Sequence, residues 1–186
     1  AAIPPGGYCR CRPEGPGSAG WLWAPWRSDF VSSPKPRNGG CFLCEIASHP
    51  ENDAETYVVA RAQKAMLLLN RYPYNGGHLM AAPLRHVASF GELEEAERAA
   101  VWEMAHLGET LLKELMHPDG FNFGINQGAA AGAGLKEHVH LHIVPRWTGD
   151  SNFLPVLSGD RVVSQGLQPL YDALCRLRSS PEGPRA

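Results

Sequence analysis

The sequence predicts an α+β domain in which an antiparallel sheet packs against one long helix. Short apolar runs separated by turn residues precede a single long segment with helical periodicity, and further short runs follow it. Strands that succeed one another through short turns pair antiparallel, whereas regular alternation with helices would predict a parallel sheet. With 186 residues, 44% of them hydrophobic, the chain is long enough to bury one sizeable core.

Three strands are predicted before the long helix. Residues 57–60 and 65–69 are apolar runs, and residues 78–83 form a third run after a turn. Pro73 and the Asn75-Gly76-Gly77 stretch mark that turn, because proline fixes φ while asparagine and glycine tolerate left-handed backbone. The three runs therefore predict strands in hairpin-like succession.

The long helix is predicted from residue 93 to residue 115. Apolar residues recur there at steps of three and four, which places them in one stripe along the helix. Ser89-Phe90-Gly91-Glu92 has the S-x-x-E form of a capping box at its start, and Pro118-Asp119-Gly120 ends it. Beyond it, residues 121–126 alternate as in a strand, and residues 167–177 predict a short C-terminal helix.

Residues 138–146 carry the strongest pattern, and they read His-Val-His-Leu-His-Ile-Val-Pro-Arg. Because successive side chains of a strand point to opposite faces, the apolar residues would face the core and His138, His140 and His142 the other side. Imidazole is a nucleophile, a metal ligand and the side chain that titrates nearest neutral pH. A single histidine in a strand is usually a surface residue, and a His-x-His pair can be a metal site alone. Three histidines in alternation favour a site for an anionic substrate.

This stretch resembles the signature of the histidine triad (HIT) superfamily, which is His-x-His-x-His followed by two apolar residues. Residues 70–80 resemble the family's nucleotide-binding strand and turn, and residues 124–132 resemble its phosphate loop. Residues 145–153 resemble the branch that contains bacterial diadenosine-tetraphosphate phosphorylases and related hydrolases. The resemblance runs from about Trp21 to the last helix, and it implies a HIT-like sheet that pairs in a homodimer.

The resemblance implies a role for each catalytic histidine. His140 would be the nucleophile, attacking the α-phosphate of a nucleotide to form a covalent nucleotidyl-histidine. His142 and His78 would contact the phosphate and help with charge or protons. The alternative role of His78 is a structural hydrogen bond beside the turn. Because the protein supplies the nucleophile, this chemistry requires no catalytic metal or other cofactor.

Six further residues are predicted to contact the nucleotide, namely Asn70, Asn126, Gly132, Ala133, Gly134 and Trp147. The resemblance places the two asparagines at the ribose, although asparagine is equally suited to capping a turn or a strand end. The loop rich in glycine and alanine lets backbone amides approach a phosphate closely. Relatives often place a serine or glutamine in this loop, whereas this chain has Ala133-Gly134-Leu135 and lacks that side-chain donor.

Cys41 and Cys44 form a CxxC pair, which in a cytosolic protein indicates metal or redox chemistry rather than a structural disulfide. A structural zinc site needs four ligands. The resemblance supplies His86 and His138 as the other two, so that a zinc ion would tie the N-terminal segment to the triad strand. His49 is a rival ligand, and two reduced cysteines without a metal are the alternative.

Composition divides the chain into three parts. Residues 1–20 are rich in proline and glycine and predict a flexible tail. Residues 21–178 are assigned to the HIT domain, including a tryptophan-rich segment, 21–26, that is expected to dock on the domain or on a partner subunit. Residues 179–186 are assigned to a frayed tail. A signal-peptide pattern and a bilayer-length apolar run are both missing from the sequence, so a cytoplasmic protein without membrane contact is expected.

These observations predict an enzyme that cleaves dinucleoside polyphosphates, such as diadenosine tetraphosphate, at the α-phosphate. The acceptor of the intermediate would be water in a hydrolase or inorganic phosphate in a phosphorylase, and residues 147–153 favour the phosphorylase branch. One alternative is a nucleoside phosphoramidate hydrolase, and another is a non-enzymatic nucleotide-binding or interaction module. A net charge of −2 gives no basic excess, so nucleic acid is not expected as a partner.

Overall fold

A five-stranded antiparallel sheet lies at the centre of the molecule, in the order β1-β2-β3-β5-β4. The computed structural model describes residues 40–150, 166–181 and 183–184. The strands are β1 (Val58–Arg61), β2 (Ala65–Leu69), β3 (Leu79–Pro83), β4 (Gly120–Ile125) and β5 (Leu141–Arg146). The predicted α+β class is confirmed. The predictions for residues 1–20, 21–26 and 151–153 lie outside the described ranges.

Four α-helices surround the sheet in the described parts of the chain, and short 3₁₀ turns connect some of them. They are α1 (Phe42–Ser48), α2 (Asp53–Thr56), α3 (Glu95–Met116) and α4 (Leu167–Ser179). The predicted boundary at residue 178 therefore falls inside the last turn of α4. Within the described ranges, no helix combines the length and the apolar character needed to cross a bilayer.

The sheet separates two apolar clusters, which explains why β2 and β3 are buried along their whole length. Alternate residues such as Leu67 and Leu79 pack under α3 in the larger cluster. The intervening residues Met66 and Met80 lie on the other face with Leu43 of α1. Gly108 lets α3 approach the sheet, since a Cβ there would lie 3.0 Å from Leu79. The strand that carries the histidines thus has helix α3 behind one face only.

The start of the long helix differs from the prediction. Ser89 accepts a hydrogen bond from the Gly91 amide at 3.3 Å and caps only the short 3₁₀ turn Phe90–Glu92. Leu93 then takes an extended conformation and is buried, so the helix cannot continue through it. Helix α3 begins two residues later, with a capping box formed by Glu94 and Glu97. The S-x-x-E pattern does mark a cap, but the cap belongs to the 3₁₀ turn before α3 and not to α3 itself.

The histidine stretch keeps the predicted alternation over a shorter regular strand. Hydrogen-bonded pairing begins at Leu141, and the approach to it is held by the Val139 amide, which donates to the Val87 carbonyl at 2.7 Å. Leu141 and Ile143 are buried in the cluster under α3, as predicted. His142 pairs in register with Met80 of β3 and therefore lies on the face away from that helix.

Candidate active site and metal centre

His140 has one ring nitrogen fixed and the other available. Its Nδ1 lies 3.0 Å from the carbonyl oxygen of His138. A carbonyl only accepts, so Nδ1 carries the proton and Nε2 carries the lone pair. The side chain is 6% exposed, and burial lowers its pKa from the ordinary value. The site therefore holds a neutral imidazole with a nucleophilic nitrogen, and its tautomer is set by backbone two residues away.

His78 and His142 form a directly bonded pair beside it. The Tyr74 amide donates to Nδ1 of His78 at 3.0 Å, so His78 carries its proton on Nε2. That nitrogen lies 2.9 Å from Nδ1 of His142 and donates to it. His142 must in turn carry its proton on Nε2. The two hydrogen bonds therefore fix both tautomers and leave His142 with a free donor.

Both members of this pair are held neutral. Burial, followed by the neighbouring His142 and His140, lowers the pKa of His78 to about 3. Burial and then His140 lower the pKa of His142 to about 4. Each ring resists protonation chiefly because burial strips the charged form of water, and repulsion between neighbouring cations adds to this. An anionic substrate would counter that repulsion.

Tyr74 was not among the predicted site residues, although it lies inside the upstream segment 70–80. Its ring centroid is 4.6 Å from that of His78 and 5.5 Å from that of His142. The side chain is 42% exposed, so it forms a wall of the site that faces solvent. A sequence signal existed only in the resemblance of the segment, because a tyrosine in a turn is otherwise unremarkable.

The two asparagines predicted at the ribose lie beside the histidine pair. The amide group of Asn70 is 3.3 Å from Nδ1 of His78, and its oxygen accepts from the Tyr72 amide at 2.9 Å. That asparagine therefore caps the turn, the alternative role considered for it. The side-chain nitrogen of Asn126 lies 3.5 Å from Nε2 of His142, and since both atoms carry protons in this tautomer they do not hydrogen-bond to each other. Ribose contact stays a prediction for both.

The predicted phosphate loop forms a tight turn around Ala129–Ala131. The amides of Gly132 and Ala133 donate within the loop, to the carbonyls of Ala129 and Gly128. Gly132 needs its glycine, since its φ is 79°. Phosphate contacts from Gly132, Ala133 and Gly134 stay a prediction, and the first two amides would have to exchange partners to make them.

Trp147 lies beyond the end of the strand that carries the histidines. It follows the last residue of β5 and is five residues beyond His142, which is roughly 16 Å along a strand. Its amide donates to the Asp150 carboxylate at 3.1 Å, and its side chain is half-buried. Contact between Trp147 and the nucleotide stays a prediction.

The four predicted metal ligands converge at the other end of the histidine face. One ligand atom from each of Cys41, Cys44, His86 and His138 lies within 4.8 Å of the others. The Cys41 and Cys44 sulfurs are 3.2 and 3.5 Å from Nδ1 of His138, and Cys44 is 3.1 Å from Nδ1 of His86. Tetrahedral zinc with S and N ligands spaces them about 3.6 Å apart, so the donor set fits that ion closely.

The hydrogen bonds around these ligands are consistent with a cation. Nε2 of His138 donates to the Pro83 carbonyl at 2.9 Å, which leaves the lone pair on Nδ1 facing the two sulfurs. Burial, followed by contact with Cys41, raises the pKa of the Cys44 thiol to about 11. A pair of thiolates needs a positive charge between them. His49 is paired with Glu51 at 2.9 Å and does not belong to the cluster.

The HIT domain family matches residues 51–149, more than half of the chain. The chain therefore belongs to the HIT family, and the prediction of a HIT-family enzyme is confirmed at that level. The resemblance read from the histidine stretch is confirmed with it.

Several individual members of the family are similar to this chain. The AP-4-A phosphorylase of Mycobacterium tuberculosis is 37% identical over 152 residues, which cover 79% of this chain and 78% of that protein. A bis(5'-adenosyl)-triphosphatase of Dictyostelium discoideum is 35% identical over 79 residues, 42% of this chain and 52% of that protein. The crystal structure of a Zn-bound histidine triad family protein from Mycobacterium smegmatis has a TM-score of 0.61 at 24% identity, covering 74% of this chain and 92% of that one. That last likeness supports the fold alone.

Proposed function

We propose that this protein is a phosphorylase of dinucleoside polyphosphates, with diadenosine tetraphosphate as the test substrate. The observation that carries the proposal is the fixed tautomer of His140, whose Nδ1 is tied to the His138 carbonyl and whose Nε2 is free to attack. A pure binding module has no need of a buried, neutral nucleophile in this state. The named activity of the M. tuberculosis relative supports the same substrate class.

In the first step, Nε2 of His140 attacks the α-phosphorus of one nucleotide and the phosphoanhydride bond to the next phosphate breaks. AMP is then bound to His140, and the remaining three phosphates leave with the second adenosine as ATP. The leaving oxygen belongs to a phosphate and departs as an anion, so it needs hydrogen bonds more than a full proton. Nε2–H of His142 is the donor that the site offers.

In the second step, an oxygen of inorganic phosphate attacks the same phosphorus, the bond to His140 breaks, and ADP is released. A phosphate oxyanion attacks without a base. Water would have to lose a proton, and the nitrogen of His142 that faces the site already carries one. The same argument disfavours phosphoramidates, because their amine leaving group needs a full proton that a neutral His142 with a pKa of about 4 does not readily supply.

The deciding experiment is product analysis of the purified chain with diadenosine tetraphosphate, with and without inorganic phosphate. ADP plus ATP that appear only with phosphate support the proposal. AMP plus ATP without phosphate would make the protein a hydrolase. Turnover of a nucleoside phosphoramidate alone would give the alternative enzyme, and binding without turnover of either would give the non-enzymatic module.

Zinc is proposed as the structural ion held by Cys41, Cys44, His86 and His138, which satisfy its preference for four sulfur and nitrogen ligands. When bound, zinc supplies a fixed positive charge and a crosslink, and it takes no part in bond cleavage. The consequence for catalysis passes through His138. Its ring would be held by the ion, and its carbonyl holds the proton of His140.

A homodimer is proposed through the β4 edge. Among the described strands β4 pairs only with β5, and its residues Asn122–Gly124 are exposed. Phe123 and Trp102 are 40% and 50% exposed and lie with ring centroids 6.4 Å apart, an aromatic patch beside an open strand edge. A second copy of this chain would cover both. Phe123→Asp should convert a dimer into a monomer in light scattering, whereas Phe42→Asp, at the same exposure on α1, should not.

A further inference from the structure

The segment that follows the triad strand is organised around one carboxylate. Oδ2 of Asp150 accepts from Nε of Arg146 at 2.7 Å and from the Trp147 amide at 3.1 Å, and Oδ1 accepts from the Arg146 guanidinium at 2.6 Å. The side chain of Asp150 is 12% exposed. Residues 145–153 carried the resemblance to one branch of the family, yet nothing in the proposed chemistry uses them.

Asp150 also reaches the turn that carries His78. The Asn75 amide group donates to Oδ2 of Asp150 at 2.9 Å and to the Pro145 carbonyl at 3.1 Å. The Asn75 backbone carbonyl accepts from the His78 amide at 3.2 Å. Asp150, which is 75 positions after Asn75 in the sequence, thereby links the segment that follows β5 to the turn that precedes β3.

The turn is held tightly on its other side as well. Gly77 has a φ of 81°, and a Cβ there would lie 2.9 Å from Met116 and 3.0 Å from Leu112 and Pro145. The turn is therefore seated between the end of α3 and β5 with no spare room. Movement of Asn75 would have to be absorbed by the preceding residue, Tyr74.

The Tyr74 amide is the nearer of two donors that face Nδ1 of His78, at 3.0 Å against 3.3 Å for the Asn70 side chain, and together they set the proton on the histidine pair. The Tyr74 amide donates to Nδ1 of His78, His78 donates from Nε2 to Nδ1 of His142, and His142 keeps its own proton on Nε2. A shift of the Tyr74 amide would leave Nδ1 of His78 with only the longer contact from Asn70, so that this nitrogen would carry the proton in a fraction of the molecules. His142 would then be free to turn its lone pair toward the site.

We propose that Asp150 is a positioning residue, which through Asn75 holds the Tyr74 amide on His78 and so keeps the proton of His142 on the nitrogen that faces the substrate. Its effect on turnover rests on the proposed function, whereas its effect on the histidine tautomers does not. Residues 146–150 thus act as a clamp on the catalytic pair, and they need not touch the nucleotide.

The test is Asp150→Asn in the full chain, with two readouts. Asparagine keeps the shape but places a donor where Arg146 and Asn75 already donate. Nitrogen-15 NMR of the imidazoles should show His142 passing from a single Nε2–H form to a mixture of both tautomers. With diadenosine tetraphosphate and phosphate, kcat should fall about tenfold while KM stays within about twofold, because the donor at the phosphate is lost but the pocket remains.

The matched control is Asp53→Asn. Asp53 holds Arg61 through Nε and a terminal nitrogen at 2.9 and 2.6 Å, the same pairing on the far side of the sheet. It should lose comparable stability and leave the His142 signals and kcat unchanged. An unchanged His142 pattern in Asp150→Asn, or an equal change in Asp53→Asn, would overturn the clamp.

Asn75→Ala is a second test of the proposal, for the case in which Asp150→Asn does not fold. It removes the link to the turn but leaves the ion pair of Asp150 with Arg146 intact, and it should reproduce the tautomer mixture. If it does not, the clamp is wrong. If the unaltered protein does not turn over dinucleoside polyphosphates, the proposed function fails, and the NMR comparison still decides the role of Asp150.

Discussion

His138 and His140, two residues apart, present different ring nitrogens to their surroundings. The difference comes from which ring nitrogen of each is held by a backbone carbonyl. His138 is tied through Nε2 to the Pro83 carbonyl and presents Nδ1 to two sulfurs. His140 is tied through Nδ1 to the His138 carbonyl, which leaves the lone pair on Nε2. Both are buried. The residue type is the same, so the choice of backbone carbonyl that each ring meets separates the proposed metal ligand from the proposed nucleophile.

The two ends of the histidine face are also coupled. The carbonyl that fixes His140 belongs to His138, and the ring of His138 lies among the predicted zinc ligands. Loss of the ion would therefore loosen the residue whose backbone sets the nucleophile. The predictions that follow test each end separately and then the connection between them.

The largest expected effect is the loss of the nucleophile. His140→Asn should lower kcat by about 10⁴-fold, because the covalent route disappears. Nucleotide binding, measured by calorimetry, should persist, since the other histidines and the loop remain. His106→Asn on the exposed face of α3 is the control and should keep full activity. Normal turnover in His140→Asn would contradict the assignment of the nucleophile.

Loss of a predicted zinc ligand should lower the stability of the protein more than its catalytic rate. Cys44→Ala should reduce zinc, measured by elemental analysis, from about one equivalent to near none. The free energy of unfolding should fall by roughly 3 kcal/mol and Tm by about 10 °C, because a crosslink between α1 and the triad strand is lost.

The control for the metal end is Cys175→Ala, since Cys175 is a half-buried thiol on α4 outside the ligand cluster. It should retain the metal. Residual activity of Cys44→Ala should be well above that of His140→Asn. A Cys44→Ala protein with zinc still bound would show that the ligand set is wrong.

Acid should destabilise the folded protein through His142. Burial first, and then His140, lower the pKa of His142 to about 4, against about 6.5 in an unfolded chain. The unfolded state therefore takes up the proton first, so this contribution to stability is present above pH 6.5 and is lost as the pH falls toward 4. Between pH 7 and pH 4.5 the loss from His142 is on the order of 2 kcal/mol.

Urea unfolding at the two pH values measures that loss. His142→Gln should show a pH dependence smaller by about the same 2 kcal/mol, whereas His106→Gln should match the unaltered protein. Comparing variants at the same pH separates the titration of His142 from any release of metal in acid. Equal slopes for all three proteins would mean that His142 is not held neutral.

Local pattern predicted the fold class and the face on which the histidines lie, because both follow from alternation and spacing, whereas the roles of the site residues came from the family resemblance. The order of Leu141, His142 and Ile143 determines which side chains face α3, and the CxxC pair predicts two metal ligands. The choice of His86 over His49 came from resemblance, and the structure explains it by the pairing of His49 with Glu51.

Contacts across the chain were not predictable in this way. The bond between Asn75 and Asp150 joins residues that are 75 positions apart, and neither has a local signature. The start of α3 was predicted too early because Leu93 is buried in tertiary packing, which a capping pattern does not register.

The smallest expected effect separates the two asparagines beside the histidine pair. Asn126 does not hydrogen-bond to His142, so Asn126→Ala should leave Tm within about 1 °C and raise KM by about threefold if the side chain meets the ribose. Asn70 bonds inside the turn, so Asn70→Ala should cost about 1 kcal/mol of stability. Steady-state kinetics and thermal unfolding of the two variants give the comparison. A rise in KM for Asn70→Ala without loss of stability would reverse the assignment, making Asn70 the ribose contact and Asn126 the idle neighbour.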